Sequence, residues 1–242
     1  MRATAGKSNF GTTATGLAAL AKRFANAGTA AEIAYEVLRG AILNNVLTPG
    51  TRLRADDLAK DLGVSKTPVR EALRKLQAED FVVVGAGNAL TVKVLSEKQL
   101  LEIYYTREAL EGMAARLAAE NAGQIDLTQL RAVLHDVEAA LDKSDRNGIR
   151  NYTGEFQLAV FKAARNDFLF DLLKSLQEKI RNQRTSTISV PGRDEEVVGF
   201  CRDVLRAIEA RDPDAAERIA RANRRRTLEL RLKMMRHSPG TR

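Results

Sequence analysis

Residues Asp61 to Asp80 read DLGVSKTPVREALRKLQAED: a glycine, two hydroxyl residues, a proline, then an apolar-striped run carrying Lys66, Arg70, Arg74 and Lys75. Gly63 supplies the positive φ that ends a helix. Either Ser65 or Thr67 can cap the next helix, and Pro68 fits its first turn, where a missing N–H is no loss. Val69, Ala72, Leu73 and Leu76 form the inward stripe of that helix. Lys66, Thr67 and Arg70 then fall on the opposite face, at the end where the helix amides already project partial positive charge.

The flanks define the setting. From Thr29 the spacing of Ile33, Val37, Leu38 and Ile42 predicts a helix that ends at the turn Leu47-Thr-Pro-Gly50. A second short helix, Arg54 to Leu62, exposes acids and buries Leu58 and Leu62. Downstream, FVVVGAGNALTVKV is two β-rich runs around Gly-Ala-Gly-Asn, a hairpin signal. Three helices and a hairpin, with a glycine turn between the second and third helices, predict a winged helix-turn-helix over residues 29–95.

In that fold the third helix enters a major groove of double-stranded DNA by its N-terminal end. Arg70 is placed to give a bidentate contact to a guanine, while Ser65, Lys66 and Thr67 fix the phosphate register and Arg74 reaches the backbone at most. Gly87 sits at the wing tip. The plain alternative is a solvated cationic face paired to Glu71 and Glu79.

Composition agrees with a nucleic-acid partner. The 242 residues are 44% hydrophobic and 29% charged, with a formal charge of +8 whose excess lies mainly before residue 95. One cysteine, Cys201, excludes an intrachain disulfide framework and fits a reducing cytoplasm. No apolar run is long enough for a membrane span or a signal peptide. Residues 1–28, rich in Gly, Ala, Thr and Ser with cations and no acids, read as a flexible basic arm, and 237–242 as a tail.

From 96 to 236 every stripe is helical: Leu100, Ile103, Leu110, Ala114, Leu117; then Leu127, Leu130, Leu134, Val137, Leu141. Further helices are expected at about 147–165, 167–187, 194–211 and 213–236, the last announced by Asp212 as cap and Pro213 at the first position. The fold class is therefore mainly α, a winged helix-turn-helix followed by an all-α six-helix bundle.

Polar residues interrupt four of these stripes. Arg107 faces inward in the first bundle helix, either paired locally with Glu111 or anchoring a ligand carboxylate. Thr153 and Gln157 flank Ile149, Tyr152, Phe156 and Val160; Cys201 lies among Val197, Val204, Leu205 and Ile208; Asn223 interrupts Ala216, Ile219, Thr227 and Leu230. Four helices each offering one such group point to a shared polar pocket for a small-molecule effector. Catalysis has no support: His135 faces outward, His237 lies in the tail, and no phosphate loop or paired nucleophile is present.

The run from Ile33 to about Val94, above all LAKDLGVSKTPVREALRKL, resembles the DNA-binding domain of the GntR family of bacterial transcription regulators. EIYYTREALEGMAARLAAENA resembles the opening helix of the FCD effector domain of the FadR branch, and six helices favour the VanR-like subgroup over the seven-helix one. The resemblance implies a cytoplasmic homodimer on a pseudo-palindromic operator, usually a repressor released by a metabolite. Asp56 stands where family members commonly carry arginine, and the wing tip lacks a cation. FCD proteins hold a divalent metal with Asp-x-x-x-His and two later histidines; those positions fall here on Thr153, Gln157, Cys201 and Asn223. The expectation is no bound metal or other cofactor, and direct binding of an organic acid by Arg107, with Arg150 or Arg165 nearby. The competing expectation is a DNA-binding architectural protein with no ligand.

Overall fold

The computed structural model describes residues 16, 17, 19–21, 24, 28–181 and 187–236. It divides into two compact units, residues 1–94 with 178–184, and residues 95–177 with 185–242.

In the first unit, α1 (Ala30–Leu43) opens on a reciprocal cap: Thr29 Oγ1 accepts from the Glu32 amide, and the Glu32 carboxylate accepts from the Thr29 amide at 2.7 Å. A short strand β1 (Arg52–Leu53) leads to α2 (Ala55–Leu62), α3 (Lys66–Ala78), β2 (Val82–Val84) and β3 (Leu90–Val92). Val37, Leu38 and Ile42 of α1 meet Leu58 of α2 and Val69, Leu73 and Leu76 of α3 in one core, closed on the sheet side by Val82 and Val92. Leu62 is only half-buried, contrary to the sequence expectation, because α2 ends there and Gly63 turns away.

The expected hairpin is present, with Val82 opposite Val92 and Val84 opposite Leu90. It gains a third strand: β1 pairs antiparallel with β3, giving the order β1-β3-β2. Two residues after a Pro-Gly turn carry no readable alternation, so this strand was not legible.

The reading of residues 1–28 as a flexible arm needs correction where the arm is described. Leu17 is fully buried in the first unit's core, with Leu20, Ala21 and Phe24 packed against that core. Its apolar residues were too few to show a period, yet they cover α1. The remainder of that arm, and the 237–242 tail with His237, lie outside the described residues.

From residue 95 onward six helices are present among the described residues: α4 (Glu97–Asn121), α5 (Gln124–Asp142), α6 (Arg146–Ala163), α7 (Asp167–Arg181, its last four residues counted with the first unit), α8 (Arg193–Glu209) and α9 (Pro213–Arg236). The helix expected to reach 187 is α7, whose described part ends at Arg181; Thr187–Ser189 form a 3-10 turn instead. α4 and α9 pack along one another, as do α5 and α6, and α8 and α9. Small residues make the first pairing close: a Cβ added to Gly112 of α4 would lie 2.6 Å from Arg221 Cγ of α9. On α4 the buried face is Leu100, Tyr104, Arg107, Glu111, Ala114 and Ala118, so Tyr104 takes the inward place expected for Ile103. Among the described residues no helix is long and apolar enough to cross a membrane.

Candidate functional site

α2, Gly63 and α3 shape the first site. Gly63 adopts φ 67°, a left-handed conformation that needs no Cβ clearance only in glycine, and it turns the chain sharply into α3. Ser65 holds the cap position of α3, but its hydroxyl makes no capping bond and stays exposed. Lys66, Thr67, Arg70 and Arg74 are all exposed on the side away from Val69, Leu73 and Leu76. Gly87 is exposed at the tip of the β2-β3 turn, with φ 67°.

The pairing of these cations decides what they can do. Glu79 does not neutralise them. Its carboxylate accepts from the Tyr35 hydroxyl at 2.8 Å, and burial together with that carboxylate pushes the Tyr35 phenol well above its ordinary range. Lys75 stacks 3.8 Å from the centre of the Tyr35 ring, so it belongs to this structural cluster and not to the cationic face. Lys66 Nζ is 3.0 Å from Asp56 Oδ2, both side chains more than half exposed. Among the described residues Arg70 and Arg74 form no ion pair, which leaves them available to phosphate or base edges.

The second site lies within the helical unit. Arg107 is buried, with 2% of its side chain exposed, and its Nη2 is 2.7 Å from Glu111 Oε1. Arg224 of α9 reaches the other oxygen of the same carboxylate, Nε to Oε2 at 2.9 Å. From the first turn of α8, Arg193 donates through Nη2 to Asn223 Oδ1 at 3.0 Å and to Thr227 Oγ1 at 2.8 Å, and its Nη1 is 3.1 Å from Glu196 Oε2.

These contacts are incomplete. Among the described residues, Nε of Arg107, and Nε and Nη1 of Arg193, are buried without an aligned hydrogen-bond acceptor. Arg193 Nη1 and Glu196 are near enough to attract but off the line a hydrogen bond needs, and the same holds for Arg224 Nε and Glu111. Burial lowers the proton affinity of Arg107 and of Arg193, and the charge of Arg224 lowers both further, so the three guanidiniums act as one electrostatic group.

The sequence-derived pocket residues are thus partly assembled. Arg107 joins Glu111 and Arg224, and Asn223 joins Arg193. Cys201 is buried beside them, its thiol pushed up to about 12 by burial against the opposing pull of Arg224 and Arg193. Thr153 is buried, but its hydroxyl donates to the carbonyls of Ile149 and Arg150 in its own helix, at 2.7 and 3.2 Å. Gln157 is half-buried on the same helix. Arg150 and Arg165 are corrections: Arg150 is exposed, and Arg165 pairs at 2.6 Å with Asp126 at the start of α5. Arg193 and Arg224 were missed. Arg193 falls just before the helix expected at about 194–211, and Arg224 stands in a run of arginines that looks like a solvated face; its spacing of eight from Ala216 and three from Thr227 was the available signal.

A divalent metal does not suit this donor set. Thr153 donates its hydroxyl to its own helix, the Asn223 oxygen accepts from Arg193, and the single Cys201 thiol does not by itself make a closed site. Neighbouring guanidiniums repel a cation. Among the described residues no group of three or more His, Cys, Asp or Glu is placed to hold one.

The winged first unit and helical second unit define a class that the comparisons make specific. Residues 30–92 match the family described as bacterial regulatory proteins, gntR family, and residues 102–226 match the FCD domain. The chain belongs to the GntR family and carries an FCD domain; its class is that of transcriptional regulators, not enzymes. It is similar to the HTH-type transcriptional regulator McbR of Escherichia coli strain K12, 38% identical over 130 residues that cover 54% of this chain and 59% of that one. A second relative is named "Probable D-xylose utilization operon transcriptional repressor", from Paenarthrobacter nicotinovorans. It is 31% identical over 168 residues, 69% of this chain and 74% of the relative. The solved structure of E. coli McbR/YncC superposes with a TM-score of 0.71 at 26% identity, covering 86% of this chain and 99% of that one.

Proposed function

We propose that this regulator binds a pseudo-palindromic operator as a cytoplasmic homodimer and represses transcription until a small organic acid enters its FCD bundle. Arg70 and Arg74, exposed and unspent on internal pairs, support α3 as the reading helix, with Ser65, Lys66, Thr67 and the Gly87 tip on phosphates. The repressive sign is supported by the relative named as a repressor. Exposed Tyr105 and Met113 on α4, with Phe168 and Leu172 on α7, supply apolar surface for self-association.

The observation that carries the effector half is the buried arginine group. Arg107, Arg193 and Arg224 hold N–H groups and charge that Glu111 and Glu196 do not fully satisfy, an arrangement suited to a ligand carboxylate and needing no metal or other cofactor. The test is a gel shift of the full chain on DNA from upstream of its own coding region, with and without a panel of small acids. Release of DNA by one acid supports the reading. DNA binding that no acid alters favours the ligand-independent architectural alternative. Arg70→Ala in the same assay is expected to weaken specific binding by about 1–3 kcal/mol with the fold unchanged by circular dichroism.

A further inference from the structure

We propose that Arg193 is the built-in cation that receives the effector's anionic group, and that the effector is a monoanionic acid bound without metal; this rests on the effector reading above.

Three observations point there together. The first is charge. Arg107, Arg193 and Arg224 are buried, with Glu111 and Glu196 as their acidic neighbours, so three guanidiniums face two carboxylates. Glu196 is also shared with Arg226, which donates to its other oxygen at 2.9 Å. One positive charge is left uncompensated in a water-poor interior, and a single negative charge is what removes it.

The second is hydrogen bonding. Arg193 is clamped on one nitrogen by Asn223 and Thr227, both on α9, while among the described residues its Nε has no acceptor and its Nη1 meets only Glu196, at 3.1 Å and off the hydrogen-bond line. Arg107 Nε is in the same condition. Buried donors left without acceptors are costly, and an oxyanion supplies several acceptors at once.

The third is placement. Asn223 and Cys201 are two of the four positions where the family resemblance puts metal ligands; here Asn223 accepts a hydrogen bond from Arg193, and Cys201 is buried on the same helix as Arg193, about two turns further on. A fixed guanidinium takes the place of a bound ion in attracting the ligand. Arg193 is a binding residue by this account, and Asn223 and Thr227 are positioning residues that aim it.

The experiment is thermal-shift titration of the EDTA-treated full chain with acetate, pyruvate, lactate and succinate, with acetamide as the neutral control. Wild type is expected to be stabilised by at least one monocarboxylate and not by acetamide. Arg193→Met is expected to lose that response, and Arg193→Lys to weaken it about tenfold, because lysine keeps the charge but not the fork. If circular dichroism shows the methionine variant unfolded, the lysine variant carries the comparison. An undiminished response in both variants overturns the role of Arg193 while the sensor reading stands. A response that appears only on adding zinc, nickel or manganese overturns metal-free binding, and a preference of more than about tenfold for succinate overturns the monoanion. Silence of every acid on wild type removes the sensor reading and this proposal with it.

Discussion

Glu111 is the residue on which the interior of the helical unit turns. It is 4% exposed and faces Arg107 at 2.7 Å and Arg224 at 2.9 Å, so one carboxylate is the shared partner of two buried guanidiniums. Glu111→Gln leaves both charges without their partner and is expected to destabilise the protein by about 3–5 kcal/mol in urea denaturation. Cys201 makes the opposite case. Burial pushes its thiol up to about 12, so in the native chain iodoacetamide at pH 8 should leave it unmodified, with alkylation rising only in denaturant when followed by mass spectrometry. Arg107 was legible from sequence because it interrupts an apolar stripe at helical spacing. Arg193 was not, because its burial comes from the return of α9 across α8, a tertiary fact that no local period records.

At the level of elements, α4 ends under the control of a residue nearly a hundred positions away. Arg211, in a left-handed conformation at φ 54°, donates to the carbonyls of Ala119 at 3.0 Å and Ala122 at 2.5 Å, oxygens that the last turn of α4 leaves without helical partners. Arg211→Ala is expected to lower stability by about 1–3 kcal/mol and to speed hydrogen exchange at the end of α4 before elsewhere. The helices themselves were readable, since capping residues such as Ser96 and Asp212 stand where their side chains accept from amides three residues on. β1 was not, because a two-residue strand exists only by virtue of the β3 edge that it joins. The Tyr35, Glu79 and Lys75 cluster was likewise invisible in sequence, and it is what separates Lys75, stacked on Tyr35, from Arg70 and Arg74 on the same helix.

For the whole molecule, acid is the informative perturbation. Hydrogen bonds from Arg225, and then Arg221, hold Glu108 below its usual 4.5 against the cost of its burial. A carboxylate whose folded value lies below its unfolded one adds stability above the unfolded value, and that stability is lost as pH falls through the folded one. The urea midpoint should therefore decline as pH drops below about 4.5, and Glu108→Gln should be less stable than wild type at pH 7 and show a shallower decline.

The guanidinium of Arg193 has a further consequence, which concerns inheritance rather than energetics. A charge written into the chain is present from the moment the bundle folds, needs no loading step, and is not lost to chelation or exchanged for a competing ion. If Arg193 receives the effector as proposed, metal scarcity or excess in the cell leaves the response to acid unchanged. Losing the charge requires a mutation instead, and because Asn223 and Thr227 both accept from the same nitrogen of Arg193, substitution of the arginine leaves both without that donor.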